Sequence, residues 1–251
     1  MALSMATAIR PVFYPDSSGS LVREAMITFT WHPGMSLAQN QRSIDSLHEE
    51  AGRSGLSPLL EVSTRSRSPL GVSLSAFNLR LRTPSVDKPV TVEAAFQSSK
   101  MYVGRGNLEH LLSWDDGRAI KAHVSEFRDT PIEGFIFEGK RWDLSPATAF
   151  YDYLYLRALC GTFVDEPRLS RTLEEYRGFT DIAYNPKRSF NCQARSCALF
   201  VALGGIDSVP GLVAEPQRLI ATMKAHGYQI PDERPRQLEM ILAPVPLVGG
   251  D

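Results

Sequence analysis

Three polar side chains able to do chemistry fall at short spacings in the segment TVEAAFQSSK. Glu93, Gln97 and Lys100 are separated by four and then three residues. An α-helix repeats about every 3.6 residues, so these spacings place all three side chains on one side of a helix. A carboxylate, an amide and an amine in one stripe can stabilise charge, orient a substrate and attack an electrophile. The alternative interpretation of the same stripe is a solvated helix surface.

Three further segments concentrate hydrogen-bonding side chains. SAFN ends in Asn78 near the close of a predicted strand, and FYDYLY places Asp152 directly after Tyr151. The loop and helix start at residues 178–195 contain the other polar candidates, which are Asp181, Tyr184, Asn185, Asn191, Gln193 and Arg195. Each segment taken alone is also typical of a cap, a turn or a solvated face.

The elements that must position these residues show both strand and helix patterns. EAMITFTWHP alternates partly as a strand does, and a helix is predicted from Ser36, as its N-cap, to Gly52. PLLEVSTRS and GVSLSAFNLRLRT are interpreted as the two strands of a hairpin. From Thr91 onward helices predominate, interrupted by a hairpin over IEGFIFEGKRWDL. The predicted architecture is α+β, with a small antiparallel sheet, largely N-terminal, packed on a predominantly helical body.

Chain length allows one main domain with its own core. We expect this domain over residues 1–205, with a β-rich N-terminal extension at about 9–85. A C-terminal helix is predicted within 206–229. A proline-rich tail at 230–251 is expected to lie outside the core.

Composition restricts the class of protein. The 251 residues are 43% hydrophobic and 22% charged, and no apolar run approaches the ~20 residues that span a bilayer. We therefore expect no membrane partner and, without a recognisable secretory signal, a cytoplasmic location. The 27 Lys and Arg against 28 Asp and Glu give no general attraction to nucleic acid. The cysteine and histidine spacings predict reduced thiols and no metal site. No P-loop or dinucleotide fingerprint is present in the sequence, and we expect no cofactor.

Three segments, in the same order, resemble the NADAR superfamily. TVEAAFQSSK resembles the T-V-E-h-x-F-Q-x-x-K helix of that family, and LSAFN resembles the F-S-x-F segment that precedes it. TDIAYNPKRSFN resembles the closing D-x-x-W-G…G-x-N segment. Over about residues 9–205 the chain is similar to NADAR proteins found as antitoxins beside DarT-type DNA ADP-ribosyltransferase toxins.

The resemblance implies an N-glycosidase that removes ADP-ribose from guanine in DNA and so acts as an antitoxin. The expected partners are ADP-ribosylated DNA or an ADP-ribosylated nucleobase, and a DNA ADP-ribosyltransferase toxin. Glu93 is carried over as a carboxylate of the site, and Lys100 as an amine that attacks the anomeric carbon by Schiff-base chemistry. Such an attack requires the neutral amine, which a nearby Glu93 disfavours.

Two alternatives to this functional hypothesis stay open. One is an N-glycosidase of small ADP-ribosylated or riboflavin-pathway metabolites. The other is a non-catalytic module that binds ADP-ribose or the toxin.

The remaining candidates are assigned to proton transfer or to binding. Asp152 and Asp181 are the candidate acids for the leaving nitrogen. The diphosphate of ADP-ribose is expected at the helix start near Asn191. The basic residues around that helix start are Lys187, Arg188 and Arg195. The other substrate-binding candidates are Asn78, Phe96, Gln97, Trp142, Tyr151 and Tyr184.

Overall fold

The computed structural model describes residues 6–16, 18–114, 117–127, 129–146, 148–186, 189 and 191–227. Its strands are β1 (Thr7–Asp16), β2 (Leu21–Thr30), β3 (Leu59–Glu61), β4 (Arg80–Thr83), β5 (Val86–Thr91), β6 (Lys100–Tyr102), β7 (Gly106–Asn107), β8 (Ile132–Phe137), β9 (Lys140–Trp142) and β10 (Gly178–Thr180). Its α-helices are α1 (Leu37–Arg53), α2 (Pro69–Ser73), α3 (Val92–Ser98), α4 (Gly117–Ser125), α5 (Ala149–Asp165), α6 (Pro167–Glu174), α7 (Gln193–Ala202), α8 (Gly205–Val213) and α9 (Pro216–Ala225), and a 3₁₀ helix spans Glu109–Ser113. These elements confirm the predicted α+β class.

The N-terminal sheet combines three strands from the first 61 residues with β10, which lies much later in the chain. β1 and β2 pair in one long hairpin, from Thr7 opposite Thr30 to Asp16 opposite Leu21. The strand order is β2-β1-β10-β3, in which β10 is antiparallel to β1 and parallel to β3. Parallel strands end at the same edge of a sheet. The residues that follow β10 therefore lie beside the end of β3, although more than 100 positions separate them in sequence.

The predicted hairpin of PLLEVSTRS with GVSLSAFNLRLRT is wrong. β3 is short and pairs with β10, β4 pairs with β5, and the segment between β3 and β4 contains α2. Pro69 stands in the first turn of α2, where its ring suits a helix start. A Cβ on Gly71 would collide with the carbonyl oxygen of Glu61 and the hydroxyl of Ser66, so this glycine lets α2 lie directly against β3.

The segment 91–100 is helical only in part. Thr91, one of the two residues (Thr91 or Asp87) that the sequence offers as a cap, is the N-cap of α3, because its hydroxyl accepts a hydrogen bond from the Ala94 N–H at 3.2 Å. The helix ends at Ser98, however, and Lys100 is the first residue of β6, paired with Phe135 of β8. The prediction that one helix carries all three polar side chains is therefore wrong for Lys100. Its position is set by the sheet β7-β6-β8-β9.

The long helix α5 is the centre of the helical body. Most of its residues are buried, and it packs against α3, α6, α7 and α8. A helix that is apolar on nearly all sides belongs in an interior. The first turn of α5 thereby carries Tyr151 and Asp152 into the core between α3 and α7.

The C-terminal part of the described chain contains two helices after α7. Where one helix is predicted within 206–229, the structure has two, α8, which begins at Gly205, and α9. Residues 230–251, the predicted tail, lie outside the described residues. In the part of the chain that the structure describes, no single helix has the length and apolar character needed to cross a membrane. Taken together, α7 and α8 meet the length and composition criteria, but they are bent by 105° at their junction.

Candidate functional site

Glu93 and Gln97 form a hydrogen-bonded pair on α3. The Gln97 amide donates to Glu93 Oε1 at 3.0 Å. The Gln97 side chain is buried, whereas Glu93 is partly exposed, and both line a groove with a volume of about 610 Å³. This volume is within the range of ordinary small-molecule sites. The spacing of four residues thus brings a carboxylate and an amide to a ligand-sized space, as the sequence predicts.

The walls of this groove come from the β4–β5 hairpin, the residues before it and the end of the 3₁₀ helix. Phe77 and Trp114 line it and are 52% and 40% exposed. Arg80, Lys88 and Asp87 add charges of both signs. Exposed aromatic rings can stack on a base. Sequence reasoning missed Phe77 and Trp114, because only the structure shows that two rings are exposed beside Glu93.

Lys100, on β6, is close enough to Glu93 for their charges to interact, although it is not one of the residues that line the groove. Its Nζ lies 5.2 Å from the centroid of the Phe96 ring, and its side chain is partly exposed. Burial of the amine lowers the pKa of Lys100 to about 8, although the charge of Glu93 acts in the opposite direction. A substantial fraction of this amine is therefore neutral near physiological pH.

The backbone of Ala76 connects two of the predicted motifs. The Glu93 N–H donates to the Ala76 carbonyl oxygen at 3.0 Å. The Ala76 N–H donates to Gln193 Oε1 at 2.7 Å, and the Gln193 amide donates to Asp181 Oδ2 at 3.0 Å. The SAFN segment thus links the start of α3 to the closing motif. Gln193 was visible in sequence as a polar residue, but its bridging role depends on the fold.

Asp181 directly follows β10 and is held by two donors. Besides Gln193, the Ala183 N–H donates to its Oδ1 at 3.0 Å. Burial, reinforced by the negative charge of Glu61, raises the pKa of Asp181 to about 7. A carboxyl group with such a pKa is able to carry a proton at neutral pH, as a general acid must. Glu61 was not predicted from sequence, and its only signal was a lone carboxylate in the apolar strand PLLEV.

Tyr151 lies within electrostatic reach of several acidic groups of the site. Its ring packs edge-on against Phe96 with centroids 5.3 Å apart. Burial raises the pKa of Tyr151 well above its usual range, and nearby acidic groups add to this effect. Those groups are Glu93, Cys192, Asp181 and Asp152. The phenol therefore stays protonated and is suited to donating a hydrogen bond.

Asp152 lies deeper, in the contact between α5 and α7. It is 2% exposed, and its Oδ1 accepts a hydrogen bond from the Ser196 hydroxyl at 2.6 Å. Trp142, with 7% exposure, packs against Phe150 and Tyr153 in the core. Both residues are thus placed among packed helices and strands.

Two further substrate-binding candidates, Phe96 and Asn78, contact neighbouring residues. Phe96 is buried against Phe135 and supports the Lys100 amine. Asn78 is exposed, and its amide donates to the Val72 carbonyl at 2.8 Å.

Three further candidates lie in the closing motif and in the first turn of α7. The Asn191 Oδ1 is buried and, among the described residues, has no hydrogen-bond partner. Such a buried acceptor is available to a ligand hydroxyl or amine. Tyr184 packs edge-on against Phe13, and Arg195 acts electrostatically on Tyr184. The other two basic residues predicted for the diphosphate, Lys187 and Arg188, lie outside the described residues.

Within the same described ranges, no group of three or more His, Cys, Asp or Glu side chains is arranged to hold a metal ion.

Comparison of the sequence with models of protein families gives a match to one family. A model of the DarT1-associated NADAR antitoxins matches residues 8–232, which include α8 and α9 as well as every candidate residue above. Comparison with curated proteins gives no match.

Proposed function

The chain belongs to the family of DarT1-associated NADAR antitoxins, and from that premise we propose that it is an N-glycosidase that removes ADP-ribose from guanine bases in DNA. The antitoxin role comes with the family. One observation carries the reaction: an amine with a lowered pKa, Lys100, acts with a carboxylate, Glu93, that lines a ligand-sized groove.

Lys100 is the proposed nucleophile. With a pKa of about 8, about one amine in ten is neutral at pH 7, against roughly one in three thousand at the ordinary lysine value. The Nζ lone pair forms a bond to the anomeric carbon, and the bond from that carbon to the guanine nitrogen breaks with its electron pair on the base. Loss of a proton from Nζ and opening of the ribose ring give a Schiff base. Water hydrolyses it, releasing ADP-ribose and the free amine.

Glu93 is the proposed charge-stabilising group and proton carrier. Positive charge develops on the anomeric carbon as the base departs, and a carboxylate facing the groove lowers the energy of that state. The same carboxylate is the natural acceptor for the proton that Lys100 loses. The hydrogen bond from Gln97 fixes one carboxylate oxygen and so orients the other.

Asp181 is the proposed acid for the departing guanine. Its raised pKa of about 7 allows it to hold a proton at neutral pH. The hydrogen-bonded path from Asp181 through Gln193 and Ala76 to the Glu93 N–H holds the acid and the α3 carboxylate in one framework. Tyr151 stays protonated and is close to the carboxyl groups of Glu93 and Asp181. Its hydroxyl donates a hydrogen bond to a substrate oxygen or nitrogen.

The groove is the proposed site of part of the ADP-ribosyl group. Phe77 and Trp114 offer exposed rings for a purine. The Asn191 Oδ1, which has no partner among the residues that the structure describes, is suited to a ribose hydroxyl, and Arg195 to the diphosphate.

One observation favours a small-molecule substrate as the second candidate. The charged residues of the groove wall and floor balance, with Arg80 and Lys88 against Asp87 and Glu93. Such a surface has no net attraction for a polyanion. In this alternative the same residues release ADP-ribose from a small ADP-ribosylated metabolite.

The test compares substrates and variants in one assay. Free ADP-ribose is measured after incubation with ADP-ribosylated guanine in single-stranded DNA, in duplex DNA and in a mononucleotide. Lys100→Ala is expected to lower release from DNA by about a thousandfold or more. Lys224→Ala, which removes an exposed lysine on α9, is the matched control and should act as the wild type does. Borohydride reduction during turnover should leave a mass adduct on Lys100 in the wild type.

The outcomes separate the candidates. Preference for the mononucleotide by more than tenfold supports the small-molecule substrate. Full rescue of toxin-expressing cells by Lys100→Ala, together with unchanged ADP-ribose binding, supports the non-catalytic module. Normal turnover by Lys100→Ala removes this lysine as the nucleophile and leaves Glu93 activating a water.

A further inference from the structure

Glu61, the last residue of β3, holds both chain neighbours of Asp181. Its carboxyl group is only 2% exposed. Glu61 Oε1 accepts hydrogen bonds from the Ile182 N–H at 2.9 Å and the Ser63 hydroxyl at 2.6 Å. Glu61 Oε2 accepts the hydroxyl proton of Thr180 at 2.7 Å. The residues before and after Asp181 are therefore fixed by one buried side chain from another strand.

A histidine on α1 completes this arrangement. His48 Nε2 lies 2.8 Å from the Thr180 hydroxyl oxygen. Because that hydroxyl gives its only proton to Glu61, the imidazole must be the donor in this contact. Burial lowers the pKa of His48 to about 4, so the ring is neutral at physiological pH. The orientation of Glu61 is thus determined by groups from α1, from β10 and from the residues that directly follow β3 and β10.

We propose that Glu61 is a positioning residue for Asp181, which it prepares for proton donation by holding Thr180 and Ile182 and by facing Asp181 with a second carboxyl group. This inference rests on the proposed function, since it takes Asp181 as the acid that protonates the leaving base. Glu61 itself is enclosed and does not touch the substrate.

The charges around Asp181 determine what the second carboxyl group does. The titratable and charged groups that face it are Glu61 from β3, Arg65 from the segment after β3, Arg10 from β1, Tyr151 from α5, and Tyr184 and Cys192 from the closing motif. Glu61 opposes ionisation of Asp181, whereas Arg65 favours it. Two like charges in a shared low-dielectric space keep one carboxyl group protonated to higher pH. Burial raises the pKa of Glu61 as well, so the two carboxyl groups titrate as one coupled pair. Without the carboxyl group of Glu61, the arginines would act on Asp181 unopposed by this neighbour.

Glu61→Gln is the variant that tests the inference, because it keeps the size of the side chain and removes its charge. The rate of ADP-ribose release from modified DNA is measured from pH 5.5 to pH 9.5. With an amine pKa of about 8 and an acid pKa of about 7, a fall of roughly one unit in the pKa of Asp181 should move the acidic limb of the profile down by roughly one pH unit. The same change should lower the maximum rate by about sevenfold and leave the alkaline limb in place, because the active form needs a neutral amine and a protonated acid together. Ser43→Ala is the matched control, since it removes a different buried hydrogen bond, to the His32 N–H, and should leave the acidic limb in place.

Two results would overturn the inference. A Glu61→Gln profile that differs from the wild type only in height would show a structural role alone. In the wild-type protein, ¹³C carboxyl NMR should find Asp181 titrating in the neutral range in steps coupled to Glu61. A single independent step near the ordinary aspartate pKa would contradict the proposal even if Glu61→Gln did not fold.

Failure of this inference is separable from failure of the proposed function. If Lys100→Ala is inactive and Glu61→Gln shows no shift, only the positioning role is lost. If Lys100→Ala turns over normally, the proposed function itself is lost.

Discussion

Two regions of the molecule contribute ionisable groups whose pKa values are shifted in opposite directions. One is segment 91–102, and the other is the edge of the N-terminal sheet at β3 and β10. In the first region burial lowers the pKa of Lys100 to about 8, so the amine tends to lose its proton. In the second, burial and a neighbouring carboxyl group raise the pKa of Asp181 to about 7, so the acid tends to keep its proton. Burial disfavours whichever form is charged, so one physical cause prepares a nucleophile in one region and an acid in the other.

The two regions also differ in how they are built. Glu93 and Gln97 meet because they are four residues apart on α3. Asp181 and Glu61 meet because a parallel pairing places Thr180 beside Glu61 across a long sequence separation. A local contact survives changes elsewhere in the fold, whereas the sheet-edge contact depends on the whole N-terminal sheet. The following predictions test this division.

After Lys100→Ala, the variant expected to lower the reaction rate most is Asp181→Asn. Loss of the acid should slow release of guanine by about 100- to 1,000-fold. The loss should shrink with a substrate whose leaving group needs no proton, and single-turnover rates on both substrates measure this. Asp152→Asn is the matched control: its carboxylate joins α5 to Ser196 of α7, so its effect should be on thermal stability and equal for both leaving groups. An Asp181→Asn defect independent of the leaving group would remove the acid role.

Gln97→Leu tests the local region. The substitution removes the donor that holds Glu93 Oε1 while keeping a similar volume. We expect kcat to fall about tenfold with a smaller change in KM, because the orientation of Glu93 matters most when charge develops. Gln217→Leu, on the exposed surface of α9, should leave both constants unchanged. A fall in affinity alone would make Gln97 a binding residue and not a support for Glu93.

The pH dependence of the wild type combines the two regions. The active form needs Lys100 neutral and Asp181 protonated, so deprotonation of the amine (pKa about 8) makes the rate rise with pH and deprotonation of the acid (pKa about 7) makes it fall. Because the amine pKa is the higher of the two, only a minor fraction of the protein is in the active form at any pH, and the rate rises near pH 7 and falls near pH 8. The profile should be a bell centred between these values, with rates at pH 6 and pH 9 about sixfold below the maximum. A profile with a single limb would show that only one of the two regions limits the rate.

Lys100→Met is expected to raise stability while it abolishes turnover. The folded protein lowers the pKa of Lys100, so the unfolded chain binds this proton more strongly. At pH 7 the free energy of unfolding should rise by about 1 kcal/mol or more in the variant. The stability of the wild type should approach that of the variant as pH increases from about 8 to 10.5, where the unfolded lysine also loses its proton.

Denaturant unfolding at pH 7 and pH 10 measures this difference. Lys224→Met, at an exposed position of α9, is the control and should change the free energy of unfolding by less than about 0.5 kcal/mol. A destabilised Lys100→Met would mean that Lys100 is held as a stable ammonium.

Much of the local structure could be predicted from sequence. The cap of α1 at Ser36, the cap of α3 at Thr91 and the β8–β9 hairpin follow from side-chain chemistry within a few residues. The partners of β3 and β4 were predicted wrongly, because short apolar runs such as the one that forms α2 fit a strand or a buried helix equally well. The start of β6 at Lys100 was missed for the same kind of reason: pairing with β8 ends α3 early, and a partner strand leaves no mark on the segment itself.

The sequence by itself determined the class of fold and the pairing of Glu93 with Gln97, because helix periodicity and capping act over a few residues. Its motifs were also sufficient to indicate the family. Only the tertiary structure decided that Lys100 approaches from a strand, that Ala76 and Gln193 connect the motifs, and that Glu61 stands behind Asp181. Those contacts join distant parts of the chain, and the pKa shifts of the site arise from burial. Burial depends on the surroundings that folding supplies, so a list of neighbouring residues in the sequence does not contain it.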